Sequence, residues 1–412
     1  MTNTNDQLER LKKLIDEILA GNQFYKRKLI EAGITDSSCL RSIADLELLP
    51  LTTREELTED QTSYPPFGTN LTYPPDRYVH WHRTSGAHGK PLHWLDTNES
   101  WDWLKACWLT VFDAAGVDAK DRIFFAFSFG PFLGFWIAWA AAEGIGALRF
   151  SGANQSSLER LRNIVNFQIT VVCSTPTYAL HLAEVAEKEG IDLRNSAVNK
   201  LIVAGEPGGS IRETRELIER SWGAIVFDHA GATEVGPHSF ACSEARSLHL
   251  NEGEFIAEVF DESGAKSKTG ELVLTNLGRS GSPVIRYRTG DLVHVDNHPC
   301  PCGRPFISFI HGIAGRLDEM IIIRGVNVFP SAIEAVLRRF EEVQEFRIEV
   351  SSVQALDEMV VTVEVSSDSI VSAIGNELVN TFGLRIPVIA VTPNTLPRFE
   401  MKARRLIDKR GG

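Results

Sequence analysis

Three short segments carry side chains suited to handling phosphate groups. In Thr84-Ser85-Gly86-Ala87-His88-Gly89-Lys90-Pro91 two glycines let the backbone bend until amide N–H groups converge on an anion, while hydroxyls and Lys90 add donors and charge. It is not a Walker loop, which needs four residues between its glycines and a hydroxyl residue after the lysine. Here two intervene and Pro91 follows, so the segment by itself reads equally as a surface turn. Ala230-Gly231-Ala232-Thr233-Glu234 closes the apolar run AIVFDH. Ligands collect at the C-terminal edge of parallel sheets, where Glu234 could hold Mg²⁺ beside phosphate; the same letters also suit a helix start capped by Thr233. In Arg286-Tyr287-Arg288-Thr289-Gly290-Asp291 the carboxylate can accept from two vicinal ribose hydroxyls and the arginines can meet phosphate as forks. The competing reading is a hairpin closed by its own ion pairs.

A fourth group points to a metal. Cys300-Pro301-Cys302 is a knuckle that presents two thiolates, and Cys242 and His249 precede it, completing a Cys₃His set suited to tetrahedral Zn²⁺. Four protein ligands leave no open position, so the expected role is structural; the alternative is unrelated thiols in a reducing compartment. Cys39, Cys107 and Cys173 read as small core residues.

The elements that must position these groups follow from apolar periodicity. Between about 100 and 235, strand-like runs (RIFFAF, ITVVCST, KLIVAG, AIVFDHAG) alternate with helical ones such as SLERLRNIV and SIRETRELIERSW, which implies a mainly parallel sheet covered by helices. Leu8, Leu11, Ile15, Ile18 and Leu19 mark an opening amphipathic helix, and Thr52-Thr53-Arg54-Glu55 reads as a capping box. After 250 the strands shorten and turns multiply. The last hundred or so residues read as a compact α+β unit: a helix after Pro330, strands EFRIEVSS and EMVVTVEV, a helix near 370–382 and the strand PVIAVT. Ile123 to Ala142 lacks charge and has the length of a membrane span, but Gly130, Pro131 and Gly134 break it into strand, loop and helix.

Bulk composition agrees with a folded chain of two domains: 412 residues, 43% hydrophobic and 23% charged. A net charge of −12 argues against a broad nucleic-acid surface. The polar start, Met1 to Arg10, gives no sign of a secretory leader, so a cytoplasmic protein with no membrane partner is expected.

Taken in order, TSGAHGKP, AGEPGG, GATEVG, YRTGD, GRLDEMIIIRGVNVFP and LPRFEMKARRLID resemble the adenylate-forming superfamily of acyl-CoA synthetases, adenylation domains and luciferases, and IRGVNVFPSAIEAVL is especially similar to the phenylacetate-CoA ligase branch. The resemblance runs from about Leu48 to Arg410. It implies an α/β fold with a large N-terminal domain (1–315) and a small mobile α+β domain (316–412) turning about Asp318. It implies activation of a carboxylic acid with ATP and Mg²⁺, followed by transfer to coenzyme A. The residues that match the family's motifs take roles accordingly. Thr84, Ser85, Gly86, Gly89 and Lys90 would cradle the β- and γ-phosphates, Thr233 would touch the α-phosphate, and Glu234 would hold Mg²⁺. Gly205, Glu206 and Pro207 would flank adenine, Asp291 would bind the ribose, Arg316 the ribose or phosphate, and Lys402 would be the mobile catalytic lysine. Gly325 would leave room for a pantetheine arm.

The acyl pocket is expected where Phe129, Phe132, Phe135 and Trp136 face Ala204, His229, Ala230 and Gly231, a lining suited to an aryl or arylacetic acid. Core packing is the competing role for Trp136. Two departures from the family pattern stand out: Ala230 where an aromatic usually stacks on adenine, and Ala87-His88 where small hydroxyl residues are usual. They keep two alternatives open, an adenylating enzyme with a carrier-protein thiol or amine as acceptor, and a non-catalytic binder. Monomer and homodimer remain equally open.

Overall fold

The computed structural model describes residues 4–84, 90–244, 247–353, 356–399 and 402–410. Along the strands Arg122–Phe125, Val171–Ser174, Lys200–Ala204 and Ile225–Ala232, successive side chains serve opposite faces of one sheet. Ile123, Phe125, Cys173, Ile202 and Phe227 pack with the helices Asn98–Ala114 and Leu133–Gly144. Phe124, Val172, Leu201, Val203 and Val226 pack on the other side with Ser157–Asn166, Pro176–Lys188 and Arg212–Trp222. Two covered faces explain why these runs are almost continuously apolar.

These strands and Leu148–Ser151 pair in parallel. Beyond Ile225–Ala232 the pairing turns antiparallel, through Gly236–Ala241, Leu248–Leu250, Ser308–Phe309, Tyr287–Asp296, Thr269–Asn276 and Phe255–Phe260. The expected α/β architecture is present, with the short strands after 250 extending the same sheet. The opening helix Thr4–Gly21 buries Leu8, Leu11, Ile15 and Ile18 against this antiparallel half. The capping box sits one residue later than expected: Thr53 caps Arg54–Ser63 and Glu56 closes the box. Thr52 is unavailable because its own N–H and C=O bond Arg286 O and Arg288 N, both at 2.9 Å. Ile123–Ala142 divides into strand, loop and helix, and no helix among the described residues is long and apolar enough to cross a membrane.

A second core spans Ile321 to Ile386. Four strands order as Val388–Val391, Leu356–Glu364, Phe346–Val353 and Leu406–Asp408, with the helices Pro330–Leu337 and Val371–Phe382 beside them. Leu406–Asp408 and the hairpin Ile321–Ile323/Val326–Val328 have no counterpart in the sequence reading, because three-residue strands are too short to show a period. Arg316 still pairs with Asp291 of the large sheet, so the chain leaves that sheet only at the 3₁₀ turn Leu317–Glu319.

Candidate active site

Of the glycine-rich segment, Ser85, Gly86, Ala87, His88 and Gly89 lie outside the described residues. Thr84 is buried, its N–H bonds Leu92 O at 2.9 Å, and its hydroxyl accepts from Leu92 N at 3.0 Å. Arg54, which the sequence offered only as part of a helix start, joins this edge to the second segment. Its guanidinium donates to Glu234 Oε1 at 2.7 Å, Thr84 Oγ1 at 3.2 Å and the carbonyl of exposed Lys90 at 3.4 Å. Tyr287, kept protonated by burial and by the charge of Glu234, donates to Glu234 Oε1 at 3.4 Å.

Thr233 and Glu234 do not start a helix. They lie in the turn of the hairpin between Ile225–Ala232 and Gly236–Ala241, where Gly236 takes φ +103°. Arg279 holds this turn from behind, donating to Thr233 O at 2.6 Å and Glu234 O at 3.3 Å. Its charge is met by Asp96 through two 2.7 Å bonds, and both side chains are fully buried. Arg279 carries no motif, and only the tertiary fold brings Asp96 to it.

Asp291 is the third convergence. Arg316 donates to its Oδ1 at 3.0 Å and to both oxygens of Asp318 at 2.9 and 3.0 Å, so one guanidinium ties the ribose candidate to the hinge candidate. Lys402 is exposed, and its charge acts on Asp291. Burial raises the Asp291 pKa to about 6, with Arg316 and then Lys402 opposing the rise. The other arginines of this segment are engaged by carboxylates. Arg286 forms a two-pronged pair with Glu258 at 2.7 and 3.0 Å, and Arg288 bonds Glu271 at 2.8 Å. The ion-paired reading of these two is the correct one.

The loop after Lys200–Ala204 is shaped by close approach. Gly205 takes φ +98°, and a Cβ on Gly209 would lie 2.5 Å from Asp228 Oδ1. Asp228 accepts from Ser210 Oγ and, at 3.0 Å, from His229 N; burial lifts its pKa to about 7. Glu206 on this loop accepts from Thr177 N at 2.9 Å and Ala403 N at 2.8 Å, while Pro207 is half-buried beside it.

Ala204 pairs with His229 across the two strands. Burial depresses the His229 pKa to about 4, and Nδ1 lies 2.7 Å from Ser239 O, so the neutral ring carries its proton on Nδ1. Its face meets Trp108 at 4.5 Å between centroids. Trp108, buried in the Asn98–Ala114 helix, belongs to one cluster with Phe127, Phe129 and Phe135, and Phe127 stacks on Phe135 at 3.5 Å. Phe132 is half-buried at the foot of the helix, Ala230 packs against the antiparallel core, and Gly231 is exposed. Trp136 stands at the edge, 40% exposed, donating to Gly130 O at 2.8 Å. Gly325, with Arg324, forms the exposed tip of a hairpin at φ +81° and +50°.

Cys242, His249, Cys300 and Cys302 do come together, their ligand atoms all within 4.8 Å of one another. Cys242 Sγ lies 3.6 Å from Cys300 Sγ and 3.3 Å from His249 Nε2, which lies 3.6 Å from Cys302 Sγ. Edges of a zinc tetrahedron with bonds near 2.0–2.3 Å measure about 3.3–3.8 Å, and these three distances fall in that range, so the donor set is suited to the ion.

The chain is similar to known proteins along nearly its whole length. The family described as AMP-binding enzyme C-terminal domain matches residues 325–410. The phenylacetate-coenzyme A ligase of Thermus thermophilus is 31% identical, the match covering 98% of this chain and 96% of that protein. A crystal structure of 2-hydroxyisobutyryl-CoA ligase in the postadenylation state, in complex with 2-HIB-AMP, superposes with a TM-score of 0.92 at 30% identity, covering 98% of this chain and 89% of the other. The same ligase in the thioesterification state, with 2-HIB-AMP and CoA, gives 0.74 at 30% identity, with 99% and 90% covered.

Proposed function

The chain belongs to the phenylacetate-coenzyme A ligase family of adenylate-forming enzymes, and from that premise we propose that it joins an aryl or arylacetic acid to coenzyme A at the expense of ATP. In the first half-reaction the acid's carboxylate attacks the α-phosphorus and pyrophosphate leaves. In the second the thiol sulfur attacks the acyl carbon, AMP leaves and the thiol proton is lost. Both steps are largely positioning and charge neutralisation. The single observation that carries the reading is Arg316 bonded to the buried carboxylate of Asp291, with the charge of Lys402 near enough to act on that carboxylate, a set chemically apt for a ribose and an α-phosphate.

Each role follows from what a side chain touches. Asp291 accepts the ribose hydroxyls, and Arg316 keeps that carboxylate oriented. Thr233 and Glu234 face the phosphates from a turn that Arg279 holds rigid. Mg²⁺, when bound, neutralises phosphate charge, and Glu234 is the carboxylate that would hold it. Arg54, already on Glu234 and Thr84, supplies a cation at the β- and γ-phosphate end together with Lys90 and the segment Ser85, Gly86 and Gly89. Gly205 and Pro207 lie along adenine, whereas both carboxylate oxygens of Glu206 are already taken by Thr177 N and Ala403 N, which removes its side chain from the adenine contacts expected of it. Lys402 steadies the transferring α-phosphate and the substrate carboxylate. Phe129, Phe132, Phe135, Trp136, Ala204, His229, Ala230 and Gly231 border the acyl group, and Trp108 joins them through its contact with His229.

Zn²⁺ on Cys242, His249, Cys300 and Cys302 would be structural, binding the loop that carries Cys300 and Cys302 to the sheet. Residues 316–412 act as the mobile unit, Asp318 as its hinge, and Gly325 as the passage for pantetheine in the second half-reaction. The cytoplasm is the compartment that suits these thiols. ATP–pyrophosphate exchange across aryl, arylacetic and short aliphatic acids tests the reading. Strong exchange with an aryl class supports it, and exchange confined to small aliphatic acids would move the substrate elsewhere. Replacing coenzyme A by a holo-carrier protein or an amine in the second step identifies the acceptor.

A further inference from the structure

Among the described residues, the carboxylate of Glu206 is the group of the large domain that hydrogen-bonds the backbone next to Lys402. One oxygen accepts from Thr177 N at 2.9 Å, in the first turn of Pro176–Lys188. The first turn of a helix leaves N–H groups without intrahelical partners. Here Pro176 has none, Thr175 takes that of Tyr178 at 3.2 Å, and Glu206 takes that of Thr177. The carboxylate is thereby held by its own domain, favoured by the positive end of the helix. Its second oxygen accepts from Ala403 N at 2.8 Å.

Two side-chain ties flank this bond. Arg398 bridges Glu184, on the same helix, at 3.0 Å and Glu364 of the small domain's sheet at 2.7 Å. Arg405 lies on Glu345 at 2.6 and 3.1 Å and reaches Thr177 Oγ1 at 3.2 Å. Long guanidinium side chains tolerate small shifts of the main chain behind them. A backbone N–H held at 2.8 Å does not, so the Glu206 bond decides where the main chain beside Lys402 lies.

We propose that Glu206 is the positioning residue for Lys402, serving adenylation and not thioester formation. This rests on Lys402 being the adenylation lysine. The bond crosses between domains and would be broken by a rotation of the small domain; in this structure, where it is made, the chain superposes at 0.92 on the postadenylation structure and at 0.74 on the thioesterification structure of one ligase. Both oxygens must accept. Glu206→Gln keeps the shape but turns one acceptor into a donor that confronts an N–H.

The test uses the full chain, wild type and Glu206→Gln, with ATP–pyrophosphate exchange, ATP affinity by calorimetry, and single-turnover thioester formation from synthetic acyl-adenylate and coenzyme A. The expected result is exchange slowed about 10- to 100-fold, the range spanned by a hydrogen bond to a charged group, with ATP affinity and thioester formation each within about threefold of wild type. Equal slowing of both half-reactions, or loss of ATP affinity in step with exchange, overturns the proposal and returns Glu206 to the adenine site or to the fold. A melting curve unchanged from wild type excludes misfolding. Lys402→Ala is run alongside. If it leaves exchange intact, the reading of Lys402 falls and this proposal with it; if it abolishes exchange while Glu206→Gln does nothing, this proposal falls alone.

Discussion

Lys402 carries the sharpest expectation at the level of single residues. Its ammonium is exposed and influences Asp291 without a fixed partner among the described hydrogen bonds, so its removal should leave the rest of the nucleotide site standing. Lys402→Ala should cut pyrophosphate exchange by roughly 100- to 1,000-fold, the effect of removing one preorganised charge-stabilising group, with ATP binding by calorimetry largely intact. Asp291 makes a second prediction through pH. Its carboxyl holds a proton up to about pH 6, above the usual range for an aspartate, because burial disfavours the charge more than Arg316 and Lys402 favour it. A protonated carboxyl is the poorer acceptor for ribose hydroxyls, so ATP affinity should fall as pH drops through about 6. Asp291→Asn should bind ATP more weakly and lose that step. The sign for stability is the reverse: the native state binds this proton more tightly than the unfolded chain, so the group's contribution to stability declines as pH rises from about 4 to 6.

At the scale of elements, the hairpin turn holding Thr233 and Glu234 and the loop holding Cys300 and Cys302 need support that their own letters do not supply. The turn has Arg279 and Asp96 behind it. The loop has the Cys₃His cluster, which joins it to the strands ending at Ala241 and centred on His249. One zinc ion per chain is expected by native mass spectrometry. Strong chelators or Cys302→Ser should lower the melting temperature by several degrees, since ion binding adds directly to folding free energy. Adenylation by the surviving folded fraction should persist, because these ligands are not among the residues proposed to hold the nucleotide.

For the whole molecule, this chain superposes on the postadenylation structure of 2-hydroxyisobutyryl-CoA ligase with a TM-score of 0.92 and on the thioesterification structure of the same ligase with 0.74. Arg316 links Asp291 to Asp318 across the 3₁₀ turn where the chain leaves the large sheet. Asp318→Pro should stiffen that turn by fixing φ, although it also removes the two bonds that Arg316 makes to Asp318. Exchange should be retained within about tenfold while thioester formation drops further, since under the proposed hinge only the second step requires the domain to turn. Single-turnover assays of each half-reaction read the difference, and equal losses would count against a hinge at this position.

Much of this was legible before any fold. The alternation of apolar runs set the parallel half of the sheet, because a strand covered on both faces must be apolar along its length. The spacing of Cys242, His249, Cys300 and Cys302 named one cluster, because metal ligands repeat a chemical requirement that letters record. The order of six segments marked the family. Arg54 and Arg279 were invisible: their partners, Glu234, Thr84 and Asp96, are separated from them by long stretches of chain, and a lone arginine carries no period. The partners of Arg286 and Arg288 are Glu258 and Glu271, and one oxygen of Glu206 accepts from an amide beyond residue 400. Local sequence decided which residue types were present and which elements they form. Which charge meets which was decided by tertiary structure, because a buried ion keeps its charge only where the fold delivers a partner.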